Sequence, residues 1–294
     1  MIIVISDVHL GYDACDKYSF NNFIDDKLMK LNENDTLVLL GDILDFWRKS
    51  CVDLTINFQK KTEKLPEGII LKKLYNLQKQ TNVHYIVGNP DYSILYFNNR
   101  VDSFPFSIHR NLHLNVKGNN DKKFYLNHGY EFEVLANYPF MTIEDYESIC
   151  QHLCDVRQTT IDKIENDFWS ALHFQFVGKK LEEHFTIAES IKKPPESRMK
   201  ELHRFEKESR EEKRKPLLQP RNKIEGLAMS PLARSMLIGG KPNETLIFGH
   251  THSPFISEDK MIINSGSWVT DNDSHNTYIE IDNTGDVNLI WYDQ

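Results

Sequence analysis

The sequence contains few cysteines and no long apolar run. Four of the 294 residues are cysteine, which is too few for a disulfide-stabilised scaffold. Cys150 and Cys154 lie four positions apart, but a zinc site there would need more ligands than the neighbouring His152, so we expect reduced, buried thiols. The apolar run Ile2–Ile5 is too short for a signal peptide or a membrane span. We therefore expect a protein that begins at Met1 and stays in the cytoplasm.

The sequence also lacks an excess of positive charge. The formal net charge is −8, and 40% of the residues are hydrophobic, which is enough for a substantial core. A protein of this charge is repelled by nucleic acid, which is therefore a disfavoured partner. Residues 178–224 are an exception, with 14 Lys and Arg against 9 Asp and Glu. This basic segment either forms a solvated helix or contacts phosphate groups, including those at the inner face of a membrane.

Apolar runs alternate with helical patterns in the first part of the chain. The runs 2–6, 36–40 and 83–87 are typical of strands buried on both faces, and residues with helical spacing lie between them. This order predicts a mostly parallel sheet with right-handed crossovers. Short strands of a meander are predicted between residues 106 and 127. Further strands are predicted at 245–248, 261–264, 277–281 and 287–291.

A helical, charged block interrupts these β-rich parts. It begins near residue 142, ends near residue 240 and contains proline breakers. We predict an α/β protein whose core comprises residues 1–140 and 241–294. Residues 141–240 are predicted to form an inserted helical cap, which would shape substrate choice and exclude water.

Polar residues of metal-binding types follow the predicted strands directly. They form the motifs Asp7-Val8-His9, Gly41-Asp42-Ile43-Leu44-Asp45, Gly88-Asn89-Pro90-Asp91, His128-Gly129 and Gly249-His250-Thr251-His252. In open α/β sheets, ligands gather beyond the carboxyl ends of the strands. Alternate residues of Asp-x-His or His-x-His project to the same side and can hold one ion together. Carboxylate, imidazole and amide groups without thiolates suit manganese, iron or zinc.

This set of motifs resembles the calcineurin-like metallophosphoesterase superfamily, whose pattern is Asp-x-His, Gly-Asp-x-x-Asp, Gly-Asn-His-Asp/Glu, His and Gly-His-x-His. The resemblance implies a four-layer αββα sandwich and a hydrolase that cuts a phosphorus–oxygen bond with two divalent ions. Mn²⁺ is the expected metal, with Fe²⁺ or Zn²⁺ as alternatives. The implied ligands of the first ion are Asp7, His9 and His252, Asp42 is the implied bridge, and those of the second ion are Asn89, His128 and His250.

The resemblance implies further roles for residues of these motifs. Asp42, Asn89 and His128 are expected to take part in catalysis as well as in metal binding. Asp45 and Asp91 are expected to orient a ligand or a loop from behind the site.

Pro90 departs from the superfamily pattern, which usually has histidine after the asparagine. That histidine is usually taken to stabilise the transition state and to assist the leaving group, and proline can do neither. The loss matters least when the leaving group is itself a phosphate, so Pro90 favours a phosphoanhydride over a nucleic-acid backbone. The candidates to replace the histidine are Tyr92, His84, His109 and Arg48, although a structural role is favoured for each. Of these, Arg48 is also expected to contact substrate.

A narrower resemblance bears on the substrate. The motifs at 7–11 and 249–252 and the helical insertion are similar to UDP-2,3-diacylglucosamine pyrophosphatases, which carry arginine at the Pro90 position and use manganese. The loop 264–268 is similar to a segment beside their site, so Ser265 is expected to contact substrate. The implied substrate contains phosphate and is a small molecule or lipid-linked, namely a nucleotide-sugar or nucleotide-lipid pyrophosphate.

Two other functions fit the sequence less well. A phosphodiesterase or nuclease would be expected to keep the histidine and to have a broad basic track, whereas the basic segment is local. A non-catalytic scaffold would be expected to lose metal ligands, but all seven positions are filled. We therefore predict a hydrolase, and the oligomeric state is left open.

Overall fold

Two β-sheets face each other in the computed structural model, which describes residues 1–50, 54, 66–99, 104, 106–116, 121–155, 222–270 and 274–292. Within these ranges, strands β1 to β11 are, in chain order, Ile2–Ile5, Thr36–Leu40, Asn82–Ile86, Ser107–His109, Asn111–Val116, Lys122–Asn127, Thr245–Phe248, Phe255–Ile256, Ile262–Asn264, Thr277–Ile281 and Val287–Trp291. The first sheet has the order β11-β10-β1-β2-β3-β4, and the second has the order β5-β6-β7-β9-β8. Strands β1, β2 and β3 are parallel, which confirms the alternating strand–helix prediction.

Helices cover the outer faces of both sheets. In the same described ranges, helices α1 to α6 are Lys17–Asp26, Pro66–Leu77, Tyr130–Asn137, Ile143–Asp155, Lys223–Met229 and Pro231–Ile238. Short 3₁₀ helices span Leu28–Lys30 and Tyr92–Asn99. Because successive strand residues point to opposite faces, Ile3 of β1 joins the helix-covered core with Phe23 of α1, whereas Val4 joins the core between the sheets with Leu126 of β6.

A third cluster lies on the far side of the second sheet. There Phe132 of α3 and Ala228 of α5 share a core with Phe248 of β7. The order of layers is therefore helix, sheet, sheet, helix, which confirms the predicted four-layer αββα sandwich.

The predicted meander between residues 106 and 127 is wrong. Strand β4 lies parallel to β3 at the edge of the first sheet, whereas β5 and β6 form an antiparallel pair in the second sheet. Arg110 is the single residue between β4 and β5, so the chain changes sheet at this point instead of forming a hairpin.

Parts of the predicted cap pack on the core. Tyr146, Ile149 and Leu153 of α4 belong to the same buried cluster as Ile3 of β1. Residues 156–221, which include most of the basic segment, lie outside the described residues, so the division into core and cap stays a prediction there. In the described part of the chain, no helix is long and apolar enough to cross a bilayer.

Candidate metal centre

The seven predicted metal ligands all follow strands whose carboxyl ends meet at one edge of the sandwich. The first sheet supplies Asp7 and His9 after β1, Asp42 after β2 and Asn89 after β3, and the second sheet supplies His128 after β6 and His250 and His252 after β7. The two sheets are joined here, because the carboxylate of Asp7 accepts the backbone N–H of His250 at 3.0 and 3.1 Å.

Backbone strain is concentrated on these ligands. Seven non-glycine residues in the described ranges have a positive φ, and five of them are candidate ligands, with φ between 52° and 68°. Those five are Asp7, His9, Asp42, His250 and His252. Such conformations are costly for residues with a side chain and persist where the surrounding fold enforces them, often at functional sites.

Asp7, His9 and His252 form the first of two ligand groups. One ligand atom from each lies within 4.8 Å of the others. The Nε2 atoms of His9 and His252 are 3.1 Å apart, and His252 Nε2 is 3.4 Å from Asp7 Oδ1. Two imidazole nitrogens and a carboxylate oxygen that converge in this way suit a single cation.

Asp42, His128 and His250 form the second group, again with one atom from each within 4.8 Å of the others. The two carboxylate oxygens of Asp42 contact histidines of different groups: Oδ1 lies 3.1 Å from His128 Nε2 of the second group, and Oδ2 lies 3.5 Å from His9 Nε2 of the first. Asp42 therefore stands between the two groups, where the bridging carboxylate was predicted.

Three of the histidines are fixed through the ring nitrogen that faces away from their group. His9 Nδ1 lies 2.9 Å from Asp45 Oδ2, His128 Nδ1 lies 3.0 Å from the carbonyl of Leu40, and His250 Nε2 lies 2.9 Å from Glu133 Oε2. Because each partner is an acceptor, the outer nitrogen carries a proton, and the inner nitrogen is the atom that can face a cation once it is deprotonated.

The second group contains buried polar atoms that lack a protein partner. Asn89 Oδ1 and His250 Nδ1 are both buried without a hydrogen bond. Buried polar atoms are nearly always satisfied by protein, water or an ion. Oxygen and imidazole donors that converge without partners fit a divalent cation, so these residues match the metal that the motifs imply.

The charges of the centre favour cations. Burial opposes protonation of His128, but the carboxylate of Asp42 raises its pKa to about 10. Burial alone would raise the pKa of Asp42, whereas His128 and His9 hold it below its usual range. A carboxylate that retains a proton on a neighbouring imidazole so strongly will also attract a divalent ion, and ion binding must then displace that proton.

Asp45 and Arg48 support the first group, with Tyr12 beside them. Arg48 Nη1 donates to Asp45 Oδ2 at 2.6 Å, on the same oxygen that contacts His9, and the guanidinium lies 4.1 Å above the ring of Tyr12. Asp45 therefore contacts a candidate ligand from behind, and its role in orienting that ligand stays a prediction. The side chain of Arg48 is 29% exposed next to the first group.

Asp91 lies behind the second group and fixes two loops. Its carboxylate accepts the backbone N–H of Ile43 at 2.9 Å, that of Gly88 at 2.6 Å and the hydroxyl of Tyr85 at 2.5 Å. Burial and the charge of Asp42 raise its pKa to about 6. Asp91 therefore ties the loop after β2 to the loop after β3.

Ser265 is buried behind Asp7 and does not face solvent. Its hydroxyl lies 2.6 Å from that of Ser6 and 3.1 Å from the carbonyl of Phe248, and Ser6 bonds to the carboxylate of Asp7. The backbone N–H of Trp268 donates to the carbonyl of Asp7 at 3.0 Å. The loop 264–268 thus supports a ligand, and this full burial corrects the expectation that Ser265 contacts substrate.

Three of the four candidates to replace the missing histidine are engaged elsewhere. His84 and His109 contact each other at 3.0 Å on neighbouring strands of the first sheet. Tyr92 is 2% exposed and bonds to Glu147. Arg48 is the candidate that lies beside the metal ligands.

Glu133 and Tyr146 are residues of the site that the motifs do not reveal. Glu133 contacts His250, and Tyr146 bonds to both Glu133 and Asn89. Both residues stand on helices, where an acidic or aromatic residue ordinarily indicates a solvated face or a core position. Glu133 is 117 residues from His250 in the chain, and Tyr146 is 57 residues from Asn89, so no short motif connects either residue to its ligand.

Comparison with known proteins agrees with this geometry. A family model described as calcineurin-like phosphoesterase matches residues 1–254, which include all seven candidate ligands. No curated protein matches the sequence. A similar solved structure is a protein of unknown function from Aquifex aeolicus, 16% identical, with a TM-score of 0.29 and coverage of 52% of this chain and 71% of that chain; this likeness is too low to support an argument. The match over residues 1–254 shows that the chain belongs to the calcineurin-like phosphoesterase family.

Proposed function

We propose that this metal-dependent phosphoesterase hydrolyses a phosphoanhydride, namely a nucleotide-sugar or nucleotide-lipid pyrophosphate. When bound, two divalent ions supply positive charge to the phosphoryl group and lower the pKa of water. Mn²⁺ is the metal that the family resemblance implies, and the Asp, His and Asn ligands also suit iron or zinc.

The protein's own residues bind and orient the reactants. Asp42 holds the two ligand groups at a fixed separation, and Asn89 and His128 complete the second group from opposite sheets. Arg48 is the proposed phosphate-binding residue beside the first group, which is supported by its bond to Asp45 and its partial exposure.

Pro90 is the observation that carries the choice of substrate. Its backbone carbonyl accepts the N–H of Phe46 at 3.0 Å and the thiol of Cys154 at 3.3 Å, which fixes the loop. Proline offers no proton, and three candidate replacements bond elsewhere. A phosphate leaving group departs as an anion without a proton, whereas a basic alkoxide does not, so the site suits an anhydride better than a diester.

The lipid-linked substrate and a cytoplasmic location at the inner face of the membrane are parts of this proposal. They depend on the basic segment 178–224, of which residues 222–224 are described. Cations in such a segment attract anionic headgroups and diphosphates.

Hydrolysis of a substrate panel tests the proposal. The purified protein with Mn²⁺ is assayed against a UDP-sugar pyrophosphate, bis-p-nitrophenyl phosphate, p-nitrophenyl phosphate and single-stranded DNA, with Asp42→Ala to expose contaminating activity. We expect preference for the pyrophosphate, abolished in the variant. Preference for the diester or for DNA would instead support the phosphodiesterase or nuclease function.

Pro90→His tests the role assigned to the leaving group. A histidine restores a proton donor, so diester hydrolysis should rise by at least about tenfold, with an upper limit of about 10²–10⁴ from general acid catalysis. Pyrophosphate hydrolysis should change much less. Pro90→Ala, which removes the ring without adding an acid, is the matched control and should not raise diester hydrolysis.

A further inference from the structure

Glu133 links two ligands of the second group. Its Oε2 atom lies 2.9 Å from His250 Nε2 and accepts the hydroxyl of Tyr146 at 3.2 Å. The same hydroxyl lies 3.4 Å from Asn89 Nδ2, which donates to it. A chain of hydrogen bonds thus runs from Asn89 through Tyr146 and Glu133 to His250.

The directions of these bonds decide which atoms face the metal position. A carboxylate only accepts, so His250 must carry its proton on Nε2, which leaves Nδ1 with a lone pair. Tyr146 donates to Glu133 and has only lone pairs left for Asn89, so the amide nitrogen of Asn89 turns to Tyr146 and Oδ1 turns away. His250 Nδ1 and Asn89 Oδ1 are two of the buried atoms without a partner.

Burial makes this arrangement rigid. Tyr146 is 2% exposed and Asn89 is 8% exposed. Tyr146 projects from α4 and Glu133 from α3, so the two helices bring the acceptor to the ligands.

We propose that Glu133 is a positioning residue that selects the metal-facing atoms of two ligands, His250 directly and Asn89 through Tyr146. The proposal rests on the dinuclear centre of the proposed function. Residues behind metal ligands commonly contribute about 10–100-fold in metal affinity. Loss of Glu133 should therefore lower the affinity for the second ion, while the affinity for the first ion, at Asp7, His9 and His252, should not change.

Mn²⁺ binding to four variants tests this assignment. Equilibrium dialysis of Glu133→Leu should show affinity for the second ion reduced about 10–100-fold, with affinity for the first ion unchanged. Glu133→Gln keeps an acceptor oxygen and should recover part of the loss. Tyr146→Phe breaks only the branch to Asn89, so its effect on affinity for the second ion should be smaller than that of Glu133→Leu. Glu144→Leu, at an exposed position of α4, is the matched control and should bind both ions normally.

The tautomer of His250 gives a second readout that needs no metal. In metal-free protein at pH 8.5, ¹⁵N NMR should find His250 protonated on Nε2, and Glu133→Leu should show a mixture of both tautomers. Wild type that binds only one ion would contradict the dinuclear centre, while the tautomer comparison would still decide the role of Glu133. An unchanged tautomer together with an unchanged second affinity would overturn the proposal.

Discussion

Gly88 and Gly249 leave the space that two carboxylate ligands occupy. A Cβ atom at Gly88 would lie 1.9 Å from Asp42 Oδ1, and one at Gly249 would lie 2.4 Å from Asp7 Oδ2. No left-handed backbone is involved, since neither glycine has a positive φ. These glycines are required because the backbone approaches the ligands closely.

Gly88→Ala should therefore displace the bridging carboxylate. The new methyl group overlaps Asp42, which cannot move away without leaving one of the two ligand groups. A displacement of about 1 Å can cost on the order of 10²-fold in rate, so we expect kcat/KM to fall by about that factor. Steady-state kinetics with Mn²⁺ and the preferred substrate of the panel measures it.

Gly226→Ala is the matched control for this substitution. Gly226 lies within α5, and a Cβ there would meet nothing within 4 Å. Alanine in a helix interior should stabilise the protein by about 0.5–1 kcal/mol and leave kcat/KM unchanged. Equal kinetics for Gly88→Ala and Gly226→Ala would contradict the steric role of Gly88.

At the scale of elements, Trp268 anchors α1 to the first sheet. Its ring is fully buried, with centroids 5.0 Å from Phe20 and 4.8 Å from Phe23, both on α1. Trp268→Ala should lower the free energy of unfolding by about 3–5 kcal/mol, because it leaves a cavity among aromatic rings. Tyr18 lies on the same helix and is 71% exposed. Tyr18→Ala should therefore lower the free energy of unfolding by less than about 0.5 kcal/mol. Urea unfolding of both variants measures the difference, and equal midpoints would exclude this anchoring role.

The sequence predicts elements best where one physical pattern dominates. Strand β2 has its predicted bounds, 36–40, because a short apolar run followed directly by Gly41 is typical of a buried strand. The predicted meander pairs strand β4 with the wrong strand, because a pattern of three residues does not indicate which sheet the strand joins. The ligands are predictable since they share short motifs at strand ends, whereas Glu133 meets His250 only through the tertiary fold.

At the scale of the whole molecule, the metal centre joins the two sheets. Asp42 belongs to the first sheet and faces His128 of the second across 3.1 Å. A bound ion would therefore link segments that lie far apart in the chain, and its binding would be coupled to folding. For each ion, at a concentration of 100 times Kd, the expected stabilisation is about 2.7 kcal/mol, or about 4 °C in Tm for a chain of this size.

Metal-free protein should lose stability as the pH rises from 7 to 8.5. The Asp42 carboxylate overcomes the effect of burial and raises the pKa of His128 to about 10 in the folded state, whereas an unfolded histidine titrates near about 6.5. The extra proton of the folded state stabilises it fully below about pH 6.5, and this contribution is lost as the pH approaches 10. The slope is at most about 1.4 kcal/mol per pH unit.

Bound Mn²⁺ should remove most of this trend, because a His128 that ligates the ion holds no extra proton at either pH. Thermal unfolding at pH 7.0 and 8.5, with EDTA or with excess Mn²⁺ under anaerobic conditions, measures both slopes. Asp42→Asn removes the charge that retains the proton, so its metal-free Tm should depend less on pH. Two results would contradict this account: a metal-free Tm that rises with pH, or a metal-free Tm of Asp42→Asn that falls with pH as steeply as that of the wild type. Either would show that the His128–Asp42 pair does not hold this proton.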